Sequence, residues 1–385
     1  MTNYHLLHEF VLVCGIVINV IILVLLGKKQ GTFLHQELLR LFFLSVLMLF
    51  LFHYAGHHKI GWLYFITNVL TNGISFLIGP IIYYYIQSLF TEIDTTRPRF
   101  WLPFLPYLFY TLIVSVPFAF SNPTDGLFFQ YIGFYLDNVT IFVLVETFFL
   151  LGCTLLAFRT LVTNEGAIKD FFSNVSTVNI QWSKRLLLCL ILYLIIDLCF
   201  TVAEFFHDGL YVFDIYSNVL LMLLITLYLG HYGFFQSPIL IPSFLLHPSE
   251  AFLAPSISDK SHLERVSIFS REEIVLIKKS LDNTLMGQQL YLNPTLNLTD
   301  LAKSTGLTDK KLSTFINQEL ATNFYELVNT HRINAFKKEV RLEQNQHLTI
   351  WAIANQCGFN SKTSFNRIFK KQMGCTPSQY QKSVD

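Results

Sequence analysis

The sequence predicts an all-α chain of two parts in different solvents: a polytopic transmembrane half of seven helices, then a smaller cytoplasmic helical part containing a duplicated unit. Three observations carry this expectation. Of the 385 residues, 52% are hydrophobic and only 14% charged, against roughly 25% charged in soluble domains. Seven apolar stretches each approach the roughly 20 residues that cross a bilayer core. Of the 27 Lys and Arg, 10 precede Gln236 and 17 lie in the shorter stretch after it, so the charge is concentrated at one end.

The seven stretches are Phe10 to Leu26, Leu38 to Ala55, Trp62 to Phe90, Trp101 to Phe120, Val139 to Phe158, Leu186 to Phe206 and Val212 to Phe235. The third is longer than a bilayer requires, and its Gly79-Pro80 pair predicts a kink or a tilt. No cleavable secretion signal is evident, because the N-terminus lacks a basic region and the first apolar run lacks a small-residue cleavage pattern. Loops after spans one, three and five hold Lys28, Lys29, Arg40, Arg97, Arg99, Arg159, Lys169, Lys184 and Arg185; the other short loops hold only Lys59. Cytoplasmic loops retain Lys and Arg, so this bias places the N-terminus outside and everything after Phe235 in the cytoplasm. Ionisable groups inside spans are costly and are functional candidates. Glu146 lies in the fifth span, and Asp197 and Glu204, seven apart on the sixth, share a helical face. Together they form a candidate intramembrane signal site; the alternative is that they bond neighbouring helices. The six cysteines show no CxxC pair or zinc spacing, and neither a metal, a cofactor nor a catalytic set is expected.

Residues 1–236 are thus read as the membrane domain, 237–268 as a linker punctuated by Pro238, Pro242, Pro248 and Pro255, 269–290 as an amphipathic helix and 291–385 as a terminal domain. Ser270 and Glu273 have capping-box spacing, ahead of Ile274, Ile277, Leu281 and Leu285 at helical period. That stripe suits either the next domain or a second copy of the chain. In the terminal domain, Leu298, Leu301 and Ala302 predict a short helix ended by Gly306. Thr308 caps a second, with Leu312, Phe315 and Ile316 inward and Lys310, Lys311, Ser313 and Thr314 outward. A longer helix, about Asn323 to Leu342, turns Phe324, Leu327, Val328, Ala335 and Leu342 to one side. The pattern then recurs at an offset of 52 to 53: Ile353-Ala354, Gly358-Phe359, a Ser361 cap, and Phe365, Ile368 and Phe369. Two helix-turn-helix units separated by a helix of about 30 Å match the 34–36 Å between successive major-groove faces of DNA.

The second unit reads Ala354, Gly358-Phe359, Ser361, Phe365, Arg367, Phe369-Lys370, Gly374, Thr376-Pro377 and Tyr380, which resembles the AraC/XylS family of bacterial transcription regulators. The first unit fits through Leu301-Ala302, Leu312-Ser313, Asn317, Asn323-Phe324, Arg332-Ile333 and Ala335. The resemblance covers about Tyr291 to Tyr380. It implies double-stranded operator DNA as partner and base-reading positions at Lys310, Ser313, Thr314, Thr363, Ser364 and Arg367. Helical phase adds Asn366 as an exposed candidate, and Lys370 completes the set. Ala321 stands where the family usually has glycine, and Gln381 where a basic residue is common. The membrane half in front of this reader looks like the membrane-embedded versions found in some bacteria.

The expected function is therefore a non-enzymatic, membrane-bound transcription regulator in a bacterial inner membrane. Its further partners are the lipid bilayer, a small-molecule or membrane-derived signal, and a second copy of the chain as a homodimer. A transporter or membrane enzyme with a regulatory DNA-binding tail, and a passive anchor of DNA to membrane, are the alternatives. The absence of paired interrupted helices and of hydrolase or phosphate-loop motifs weighs against the first two.

Overall fold

The computed structural model describes residues 3–28, 33–119, 139–173, 180–204, 211–236, 239, 241–246 and 269–383. The regular secondary structure of the described residues is helical apart from an isolated bridge between Phe172 and Asn297. Most of the expected linker, and the segment joining the fourth and fifth expected spans, lie outside the described residues. The chain divides into two compact units, residues 1–163 with 180–240, and residues 164–179 with 241–385.

In the first unit the helices are α1 (Asn3–Lys28), α2 (Leu34–His57), α3 (Gly61–Thr71), α4 (Ser75–Phe90), α5 (Val139–Phe171), α6 (Gln181–Glu204) and α7 (Tyr211–Phe235), with a run of short helical pieces over 98–119. Residues 164–171 of α5 belong to the second unit. Among the described residues, five helices are long and apolar enough to cross a membrane, and six if α3 and α4 count as one bent span. Small residues set how closely they pack. A Cβ at Gly15 would lie 2.3 Å from the Phe50 ring, and one at Gly230 2.6 Å from Ile22.

The bend in the third apolar stretch is not where Gly79-Pro80 suggested. α3 and α4 meet at 55° across Gly73, whose φ of 78° is left-handed and ends a right-handed helix. Pro80 sits inside α4, while Gly79 faces Cys153, with a Cβ there 3.1 Å from its Sγ. That glycine serves close packing against α5.

In the second unit, α8 (Arg271–Asp282) carries the expected capping box: Ser270 Oγ accepts from the Glu273 N–H at 3.1 Å and Glu273 Oε2 accepts from the Ser270 N–H at 3.2 Å. Its stripe packs within its own unit. Ile277, Leu281 and Leu285 are buried with Leu301, Phe315 and Phe324, which leaves Val275 and Leu276 as the exposed apolar pair. Then come α9 (Leu298–Thr305), α10 (Asp309–Gln318), α11 (Phe324–Glu339), α12 (Ile350–Gln356), α13 (Lys362–Met373) and α14 (Pro377–Lys382).

Each short helix starts on a side chain that accepts from an otherwise unpaired N–H: Asn297 for α9, Thr308 for α10, Asn323 for α11, Thr349 for α12, Ser361 for α13 and Thr376 for α14. α11 joins two cores. Phe324 and Val328 face the cluster around Leu312 and Phe315; Tyr325, Ile333 and Phe336 face that around Phe359, Phe365, Phe369 and Tyr380. It stops at Glu339, short of the expected Leu342, which is 40% exposed. Its 16 residues make it about 24 Å long.

The two halves of the unit repeat each other in backbone conformation. Gly306 (φ 72°) and Gly358 (φ 92°), 52 apart, are both left-handed, as are Ala321 (φ 49°) and Gly374 (φ 73°), 53 apart. The departure noted at Ala321 is thus a side chain held where glycine is preferred.

Candidate functional site

The expected DNA-contacting positions fall on α10 and α13, each the second helix of a pair and each anchored by its apolar face. In α10, Leu312, Phe315 and Ile316 are buried. Lys310 and Lys311 are exposed, and Thr314 is half-buried with its hydroxyl donating to the Lys310 carbonyl at 2.8 Å. Ser313 does not face outward as expected. It is 6% exposed because it lies between the inward positions Leu312 and Ile316, and Asn317 Nδ2 reaches its Oγ at 3.5 Å. Lys311 pairs with Glu273 of α8 at 3.0 Å. That contact holds the Glu273 carboxyl below the usual glutamate range, with the Ser270 N–H adding to it.

In α13, Phe365, Ile368 and Phe369 are buried, and Thr363, Asn366, Arg367 and Lys370 are exposed. Ser364 is half-buried, its N–H donating to Ser361 Oγ at 3.3 Å. Three side chains tie this helix to α11. Arg367 Nη2 donates to the Tyr325 hydroxyl at 2.9 Å, Lys371 Nζ to Glu326 at 2.5 Å and Gln372 Nε2 to Thr330 Oγ1 at 3.1 Å. Tyr325 and Glu326, which orient the exposed cations of α13, went unrecognised in the sequence. Their signal was there in part, since they open α11 one and two residues after the Phe324 that the periodicity picked out. With the helix faces set in this way, α10 exposes Lys310 and Lys311, and α13 exposes Thr363, Asn366, Arg367 and Lys370.

The first unit contains a partly open cavity of about 370 Å³ with Glu146, Thr147, Asp197, Asn218 and His53 among mainly apolar walls. Two of the expected intramembrane residues therefore share one cavity. Asp197 accepts from the Tyr193 hydroxyl at 3.2 Å, and its carboxylate also bonds Asn218 and Thr147. Glu146 bonds Tyr110 and Ser75. Glu204 ends α6, and its side chain lies outside the described residues.

Residues 301–383 match a helix-turn-helix domain family. An uncharacterised HTH-type transcriptional regulator of Staphylococcus aureus (strain COL) is 34% identical over 92 residues, covering 24% of this chain and 12% of that protein. The uncharacterised HTH-type transcriptional regulator YpdC of Escherichia coli K12 is 32% identical over 93 residues, covering 24% of this chain and 31% of that one. The chain thus spans about an eighth to a third of the length of these relatives. No solved structure matches the chain. The C-terminal end of this chain is a helix-turn-helix domain of the type carried by transcriptional regulators.

Proposed function

We propose that the chain is a membrane-bound, sequence-specific transcription regulator of a bacterial cytoplasmic membrane. Its apolar half crosses the bilayer seven times with the N-terminus outside, and its C-terminal unit binds double-stranded operator DNA from the cytoplasm. The observation that carries the DNA-binding part is the repeated helix pair, α9–α10 and α12–α13, with matching caps and matching left-handed residues, inside the stretch that matches the helix-turn-helix family. Read as two helix-turn-helix units joined by α11, they present two recognition helices to successive major-groove faces, 34–36 Å apart. Lys370 neutralises phosphates, and Lys310, Thr314, Thr363, Ser364, Asn366 and Arg367 reach base edges, with Arg367 the strongest candidate for guanine.

The membrane part of the reading is supported by the long apolar helices and by the cation bias of the loops. The signal site is the cavity that holds Glu146 and Asp197, with Glu204 two turns along the same helix as Asp197. Its apolar walls and carboxyl groups suit a compact, mainly apolar molecule with hydrogen-bond donors or a positive group. The test is genome-wide mapping of the DNA bound by the intact protein, beside Arg367→Ala. Loss of a subset of sites is the expected result, because removing a base contact alters sequence preference. Recovery of no DNA above background by the wild type sinks the reading.

A further inference from the structure

The last residues of α5 lie in the C-terminal unit. α5 carries Glu146 and ends at Phe171. Phe171 is buried in the cluster that holds Leu298, Phe315 and Phe324, and Phe172 bridges to Asn297. Ser173, fully buried, is bonded through every polar atom it has. Its N–H donates to the Leu296 carbonyl at 3.2 Å and its hydroxyl to the same oxygen at 2.5 Å. Its carbonyl accepts from Asn329 Nδ2 at 3.0 Å and from Arg332 Nη1 at 3.2 Å, and its Oγ accepts from Arg332 Nη2 at 3.1 Å.

Arg332, on α11, is itself fully buried. The five N–H groups of its guanidinium meet five oxygens: the two on Ser173, the Tyr291 carbonyl at 2.7 Å, the Asn293 carbonyl at 2.7 Å and Asn329 Oδ1 at 3.4 Å. All five are neutral. A buried cation among neutral acceptors is tolerated only while its donors are matched, and burial already lowers this group to about 10. Removing Ser173 takes away two of the five bonds. The same network adjoins both helix pairs, because Leu296 and Asn297 lead into α9, and a Cβ on Gly358 in the turn after α12 would lie 2.6 Å from the Tyr291 oxygen and 3.0 Å from Arg332 Nε.

We propose that Phe171–Ser173 is a latch through which the membrane half acts on the DNA-binding unit. Seated against Arg332 and Asn329, it fixes α11 relative to the turns of both helix pairs and so holds the two recognition helices in the spacing that DNA requires. Occupancy of the cavity at Glu146 is relayed along the same chain segment by seating or releasing these three residues. The seated form binds DNA, and release leaves two donors of Arg332 unmatched, so the two forms are discrete. The latch rests on the regulator reading above.

Ser173→Arg in the full-length protein, reconstituted in nanodiscs, places a second cation against Arg332 without altering any residue of α9 to α13. Hydrogen exchange of the 164–179 and 291–297 peptides is expected to rise about tenfold, while the α13 peptide stays protected and reports an intact fold. In cells, occupancy of all wild-type sites is expected to fall together by about fivefold or more, with no change in which sites are bound. Where this variant fails to accumulate, Ser173→Ala, which keeps the backbone bonds, must shift both readouts in the same direction by about threefold. Unchanged exchange, or raised exchange with wild-type or increased occupancy, overturns the latch and leaves the regulator reading standing. Wild-type protein that recovers no DNA overturns both.

Discussion

Gly306 and Gly358 make a matched pair on which the duplication can be tested quantitatively. Both are left-handed, so alanine at either meets the same backbone penalty, about 1–2 kcal/mol. Their surroundings differ. A Cβ on Gly306 would have nothing within 4 Å, whereas one on Gly358 would meet the Tyr291 carbonyl oxygen at 2.6 Å and the Leu292 carbonyl oxygen at 2.9 Å. Both neighbours are backbone, and the Tyr291 oxygen also accepts from Arg332 Nε at 2.7 Å, so it cannot withdraw without breaking that bond. Overpacking adds about 1–3 kcal/mol. Gly306→Ala should therefore loosen its own half by about 1–2 kcal/mol, a factor of roughly 5–30 in exchange. Gly358→Ala should cost roughly 2–5 kcal/mol when the two terms are summed and should extend to the 291–297 turn. Hydrogen exchange resolved by peptide in the full-length protein measures both. Equal loosening in the two variants, or a Gly358→Ala effect confined to α12 and α13, would refute the reasoning.

Ala321→Gly should stabilise the unit by about 1 kcal/mol, because it removes the side chain from a residue at φ 49°; slower exchange of α10 and α11 is the measurement, and no change would mean that the strain is absent. Glu273 is held below its ordinary range by Lys311, so its contribution is present above the ordinary glutamate value and is lost as pH falls through the lowered one. The start of α8 should exchange faster on acidification through that range, and Lys311→Ala should weaken the dependence, leaving the part due to the Ser270 N–H. Glu146→Gln and Asp197→Asn keep the side-chain shape and remove the charge in the cavity; if this is the signal site, a reporter under a mapped promoter should lose its response while genome-wide occupancy without signal stays as in the wild type. A response unaltered in both single variants and in the double variant would exclude the cavity carboxyls.

Much of the C-terminal unit was legible in the sequence because its signals are local. Caps at Thr308 and Ser361, left-handed positions at Gly306 and Gly358, and an inward face at Phe365 and Phe369 each depend on residues within about one or two helical turns. The division into an apolar and a polar part was legible for a similar reason, since composition over tens of residues decides the solvent. What a local pattern does not encode is the identity of a distant partner. Ile277 shows a helical stripe, but only packing decided that it closes on Phe315 and Leu301 within its own unit. The phase of α10 marked Ser313 as polar and outward, and the neighbouring Leu312 and Ile316 drew it inward. Pro80 is a visible helix breaker, yet the bend formed at Gly73, where the Tyr110 ring fills the space a Cβ would occupy. Ser173 and Arg332 carry no shared motif and stand 159 residues apart. By itself the sequence determined where α8, α10 and α13 start and, Ser313 apart, which faces of the C-terminal helices are apolar. The tertiary structure alone decided that a serine following a long apolar helix satisfies a buried arginine between two helix pairs, because a buried cation takes whatever oxygens the fold brings within 3 Å or so.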